Sequence, residues 1–180
     1  MSKYEAIIYD LDGTLVRLDV DWSEVRTRCQ AVLRARGVDT GDADIWAMRQ
    51  LAAEDNAADR IDEVIAEFER AGARSCDRLA LADDLPHDVP VGVVSLNAES
   101  AVRIALELYG LDRHVDVVVG RDTVETTKPD PDPLLFAADR LGVSPDRALF
   151  VGDSESDAVA ADRAGVEYQW AHERASSSQE

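Results

Sequence analysis

Two aspartates one residue apart, Asp10 and Asp12, close the apolar run in "YEAIIYDLDGTLV" near the start of the chain. An unbroken apolar run implies burial, and a carboxylate at the edge of a core needs a partner to offset its lost hydration. Polar groups that could serve recur beyond three further apolar runs: Ser95 after "VGVV", Lys128 in "TTKPD" past "VDVVV", and Asp153 after "ALFVG". Three carboxylates and a lysine brought together would repel or stay unpaired unless a divalent cation and an anion sat among them. Hard oxygen ligands with room for water suit Mg²⁺, which is held by one or two carboxylates together with phosphate oxygens. The Ser95 hydroxyl and Lys128 ammonium then become phosphate donors, and Asn97, at the start of a helical pattern, lies by a positive dipole end. Lys128 is one of only two lysines in an arginine-rich chain, which suggests that a compact ammonium is required there. Pro129 biases its backbone toward an extended form.

For these side chains to meet, the elements that carry them must end at one edge. Strand-like runs lie at 6–9 ("AIIY"), 91–95 ("VGVVS"), 115–119 ("VDVVV") and 148–151 ("ALFV"), with a weaker one at 166–170 ("VEYQW"). They are nearly all apolar, as strands covered on both faces are. Helical patterns with end signals follow: Asn97 as N-cap and Gly110 as stop, Asp132-Pro133 and Gly142, and "SESDAVAADRAG" ending at Gly165. This alternation predicts an α/β fold with a doubly wound parallel sheet, in which ligands bind beyond the carboxyl ends of the strands. Between Arg17 and about Asp84 only helical periodicity appears. Asp21 and Glu24 have capping-box spacing, and apolar positions recur at Val25, Cys29, Val32 and Leu33, at Ile45, Met48 and Leu51, and at Ile61, Val64, Ile65 and Phe68. The expected division is a discontinuous core, 1–16 and 85–180, with an all-helical insert at 17–84. The closing "RASSSQE" reads as a disordered tail.

Composition narrows the class. The 180 residues are 46% hydrophobic, enough for one good core. No apolar run is long enough to span a bilayer, and the start does not resemble a secretion signal, so a cytoplasmic protein is expected. Cys29 and Cys76, both placed in helical patterns, read as reduced core thiols. Acidic residues number 37 against 19 basic ones, a net charge of −18, and they are scattered rather than gathered in a tail. Such a surface argues against nucleic acid, which requires basic patches. It suits a cytoplasm of high salt, where screening shortens repulsion to ~3 Å at 1 M.

The segments "DLDGTLV", "VVSLN", "KPDPDPL" and "VGDSESDAVAADRAGV" together resemble the four ordered motifs of the haloacid dehalogenase (HAD) superfamily. The branch most resembled is phosphoglycolate-phosphatase-like, with a helical cap inserted after the first motif. The resemblance implies a Rossmann-like core and an Mg²⁺-dependent phosphatase acting on a small phosphate ester through an aspartyl-phosphate. It implies Asp10 as nucleophile and Asp12 as general acid/base. Mg²⁺ would be held by Asp10, the Asp12 backbone carbonyl and Asp153, with Asp157 as a further metal or outer partner. Ser95 and Lys128 would bind phosphate, and Gly13 would let the chain turn sharply into a flap. Leu96 departs from the pattern by standing where the second motif has Asn.

Other readings compete. Asp-x-Asp-Gly could open a calcium loop of the EF-hand type, but Leu15 occupies the position that needs glycine, and a strand precedes it. Asp153 could simply cap a helix. A sugar phosphomutase would share the fold and the residues. A receiver-like phosphoacceptor module would also use Mg²⁺, but its acceptor ends the third strand, where this chain has no carboxylate. Trp22, Trp46 and Phe68 read as core of the helical insert, and Arg17, Arg26 and Arg121 as solvated surface. His87, His114 and His172 show no ligand spacing.

Overall fold

The computed structural model describes residues 3–54 and 56–177. Strands β1 (Ala6–Tyr9), β4 (Val91–Val94), β5 (Val117–Val119), β6 (Ala148–Gly152) and β7 (Glu167–Trp170) form a five-stranded sheet in the order β5-β4-β1-β6-β7, parallel throughout. The chain steps outward from β1 to β4 and β5, then returns to the far side of β1 for β6 and β7. The winding therefore reverses at β1, the switch point where such sheets bind ligands. Ile7 pairs with Val91 and Leu149, and Tyr9 with Val93 and Val151, which aligns the carboxyl ends of the three central strands.

Both faces are covered, which explains the continuous apolar strands. On one face Ile7, Tyr9, Val93 and Val151 pack against Ala101, Val102 and Ala105 of α4 (Glu99–Leu108). On the other, Ile8, Val94 and Phe150 meet Leu134 and Ala137 of α5 (Asp132–Leu141) and Ala160 and Ala161 of α6 (Glu155–Ala164). Gly142 and Gly165 adopt left-handed conformations that end α5 and α6, as their positions predict.

The segment between β1 and β4 is mainly helical, with α1 (Trp22–Arg34), α2 (Ile45–Glu54) and α3 (Ala58–Arg74). These three share an apolar cluster of their own, built from Val25, Cys29, Leu33, Met48, Ile61, Val64 and Ile65. Asp21 caps α1 by accepting from the Ser23 and Glu24 N–H groups. The sequence gives no strand signal here, yet β2 (Val16–Arg17) pairs antiparallel with β3 (Asp77–Arg78), so the chain leaves and re-enters the core through one short ribbon. Two residues per strand, with Asp77 and Arg78 both exposed, are too few to carry a periodic pattern.

Three further expectations are corrected. Cys76 is buried and free as expected, but it lies in the link between α3 and β3 instead of on a helix. Ala98, not Asn97, is the N-cap of α4. The closing segment is helical through α7 (Ala171–Ser177), and the rest of the expected tail lies outside the described residues. No helix among the described residues is long and apolar enough to cross a membrane.

Candidate active site

Asp10 follows β1 directly, and its N–H donates to the Val151 carbonyl at 2.8 Å, which extends the ladder with β6 by one step. The chain then turns sharply. The Thr14, Leu15 and Val16 N–H groups all donate to the Leu11 carbonyl, and Gly13 donates to Val16 at 2.7 Å. Gly13 has φ +87°, and a Cβ there would stand 2.1 Å from an Asp153 carboxylate oxygen. Only glycine meets both conditions.

The ammonium of Lys128, itself buried, donates to Asp10 Oδ1 at 2.7 Å, to Asp157 Oδ1 at 2.5 Å and to the Val94 carbonyl at 3.2 Å. Burial alone would push its pKa down, but the charges of Asp10 and Asp157 hold it above the ordinary lysine value. The Asp10 carboxyl is pushed up, first by burial and then by the neighbouring Asp157 and Asp153, although Lys128 opposes the shift. The second Asp157 oxygen accepts from the Ser154 hydroxyl at 2.7 Å and from its N–H at 3.1 Å. Ser154 is the N-cap of α6, so a capping box fixes the carboxylate that orients Lys128. Asp153 is therefore not the cap and stays exposed.

Asp10, Asp153 and Asp157 each offer a carboxylate oxygen, and the three lie within 4.8 Å of one another. Burial and Asp157 raise the Asp153 pKa. An all-oxygen set of excess negative charge, with one ammonium to balance it, fits a hard divalent cation such as Mg²⁺. The Asp12 carboxylate stands outside that triplet. Its Oδ1 accepts from the Leu18 N–H at 2.9 Å, and burial raises its pKa against the opposing effects of that bond and Arg17. Ser95, just past β4, accepts from the Asn97 N–H at 3.2 Å and donates to Asn97 Oδ1 at 3.0 Å. Asp10, Asp12, Ser95, Lys128, Asp153 and Asp157 all line one cavity of about 300 Å³.

Three features of this cavity escape sequence reasoning. Trp22 and Trp46 line it and are 41% and 46% exposed, so neither belongs to the insert core, whereas Phe68 does pack there. Glu69 of α3 is buried beside it, paired in both oxygens with Arg121 at 2.7 and 3.0 Å. Glu69 also accepts from Asn97 Nδ2 and the Ala98 N–H, which ties α3 to the start of α4. Arg121 is thus buried and paired, not solvated surface. The available signal was an acid on the helical face marked by Ile61, Ile65 and Phe68.

The family model described as "Haloacid dehalogenase-like hydrolase" matches residues 7–171. The chain belongs to this family. Phosphoglycolate phosphatase of Escherichia coli K12 is 43% identical over 77 residues, which are 43% of this chain and 31% of that protein. The chain therefore aligns with about a third of the length of that relative. Pyrophosphatase PpaX of Oceanobacillus iheyensis is 26% identical over 89% of this chain and 80% of its own length. A HAD-superfamily hydrolase of subfamily IA, variant 1, from Geobacter sulfurreducens superposes with a TM-score of 0.60 at 29% identity, covering 92% of this chain and 88% of that one. Asp10, Ser95, Lys128, Asp153 and Asp157 all fall within the residues that the family model matches.

Proposed function

We propose that this HAD protein is an Mg²⁺-dependent phosphoric monoester hydrolase acting on a small phosphorylated metabolite. The observation that carries the reading is the meeting of Asp10, Ser95 and Asp153, each just past a strand, with Lys128 of the loop after β5 in one cavity. Asp10, Asp153 and Asp157 are the side chains that would hold the ion, joined by the Asp12 backbone carbonyl. When bound, Mg²⁺ supplies Lewis-acid neutralisation of the phosphate charge.

The remaining chemistry belongs to the chain. Lys128 and the Ser95 hydroxyl bind phosphate oxygens, which reduces the repulsion between a carboxylate nucleophile and a phosphate dianion. An Asp10 oxygen forms the new bond to phosphorus while the ester P–O bond breaks, and Asp12 gives its proton to the departing oxygen. Water then attacks the aspartyl-phosphate, Asp12 takes back a proton, and phosphate leaves with Asp10 restored. Burial of Asp12 favours its protonated form, as the first step requires. In this reading residues 17–84 are a cap over the core, hinged at the β2–β3 ribbon, that excludes water and selects the substrate. The buried free thiols and the absence of a membrane-crossing helix among the described residues are consistent with a cytoplasmic location.

Steady-state release of phosphate from p-nitrophenyl phosphate with Mg²⁺ is expected, lost with a chelator and in Asp10→Asn. Turnover that persists in Asp10→Asn would overturn the assignment of the nucleophile.

A further inference from the structure

The cavity has a wall that the phosphate chemistry does not use. Trp22 opens α1 and Trp46 lies in the first turn of α2, and both indoles face the cavity that holds Asp10 and Lys128. They are also two of the most exposed large apolar side chains among the described residues. Indoles left open to water inside a concave site gain free energy when a ligand covers them. Leu96 adds a further apolar group to this wall.

Charge points the same way. Among the lining residues Lys128 is the one cation, and it is already shared between Asp10 and Asp157. Two arginines beside this wall are already engaged. Arg121 is paired with Glu69, and Arg49, on a neighbouring cavity that Trp46 also borders, is held by Asp62 at 2.5 and 2.9 Å. A carboxylate on the leaving group would meet a lining in which Asp10, Asp12, Glu69, Asp153 and Asp157 face a single, already shared ammonium.

We propose that Trp22 and Trp46 form the leaving-group subsite and select phosphate monoesters with a flat, uncharged leaving group over those that carry a carboxylate. The proposal rests on the phosphatase reading above. A cavity of about 300 Å³ lies at the small end of ligand sites and has room for roughly one ring beside the phosphate.

The test compares kcat/KM for phenyl phosphate and 2-phosphoglycolate in the wild type, Trp22→Ala, Trp46→Ala and Trp46→Phe, all with Mg²⁺. Phenyl phosphate should be preferred by the wild type. Each alanine variant should lower that preference about tenfold, mainly through KM, while Trp46→Phe keeps most of it. Calorimetric titration of phenyl phosphate into Asp10→Asn, with and without Trp46→Ala, should show the same weakening of binding. Thermal melts should place the alanine variants close to the wild type, since both indoles are exposed. A wild-type preference for phosphoglycolate, or an unchanged ratio in folded alanine variants, would overturn the subsite while leaving the phosphatase reading intact. No turnover of any ester would overturn both.

Discussion

Lys128 holds its place through geometry as much as charge. Its ammonium fits between Asp10 and Asp157, its stem is buried, and it sits 5.4 Å from the centre of the Phe150 ring. A guanidinium is planar and wider, and could not make the same three contacts in that space. Lys128→Arg should therefore behave as a loss, with kcat/KM down about a hundredfold or more, the scale seen when one transition-state donor is removed. Near-wild-type activity in this variant would show that charge alone is needed. Gly13→Ala tests the turn that follows Asp10. It places a side chain at φ +87° and drives Asp153 from its position, so Mg²⁺-dependent activity should fall about a hundredfold. Retained activity with a normal dependence on Mg²⁺ concentration would contradict the assigned position of Asp153.

At the scale of elements, two polar contacts, one buried and one half-buried, tie peripheral segments to the sheet. Glu69 of α3 and Arg121, just past β5, are both buried, so removing one partner leaves a charge in a dry place. Glu69→Ala should cost about 3–5 kcal/mol in urea unfolding, and the double variant Glu69→Ala/Arg121→Leu should recover part of that loss. In the second contact Asp84 accepts from Tyr9 of β1 and from Arg174 of α7. Burial pushes the Asp84 pKa up, but His87, Tyr9 and Arg174 together pull it well below the usual carboxylate range. A folded-state pKa below the unfolded value stabilises the protein above about pH 4, and that gain is lost as pH falls further. Asp84→Asn should thus lower stability by about 2 kcal/mol at pH 7. Its thermal midpoint should converge on the wild type as pH drops below 4. These contacts also show what a sequence can carry. The five strands and the helix stops at Gly142 and Gly165 are legible because each is written in consecutive residues. So is the set of strand-end residues, because parallel topology dictates where they go. The Glu69–Arg121 pair, the β2–β3 ribbon and the outward placement of Trp22 and Trp46 depend on how the three-helix segment lies over the core. Local periodicity does not encode that placement, and a helical face with tryptophan at its start reads as core.

For the molecule as a whole, the excess of 18 acidic charges leaves many carboxylates with no basic counterpart. The exposed pairs that do form, such as Lys3–Glu167, Arg103–Glu99 and Arg147–Glu5, are open to solvent and contribute little. Raising salt weakens those pairs, but it also screens the far more numerous like-charge contacts, and the second effect is larger for a chain of this composition. The Lys128–Asp10 and Glu69–Arg121 pairs are largely shielded from solvent and should be screened less than the exposed ones. The thermal midpoint should therefore climb as KCl rises from dilute to molar. Salting-out of apolar surface predicts a rise too, so pH separates the causes. As pH is lowered toward the carboxylate range the acids take up protons and self-repulsion fades. The KCl-induced gain should shrink in parallel if charge is its origin, and persist if apolar burial is. A midpoint flat or falling with KCl at pH 7 would remove the case for a high-salt setting.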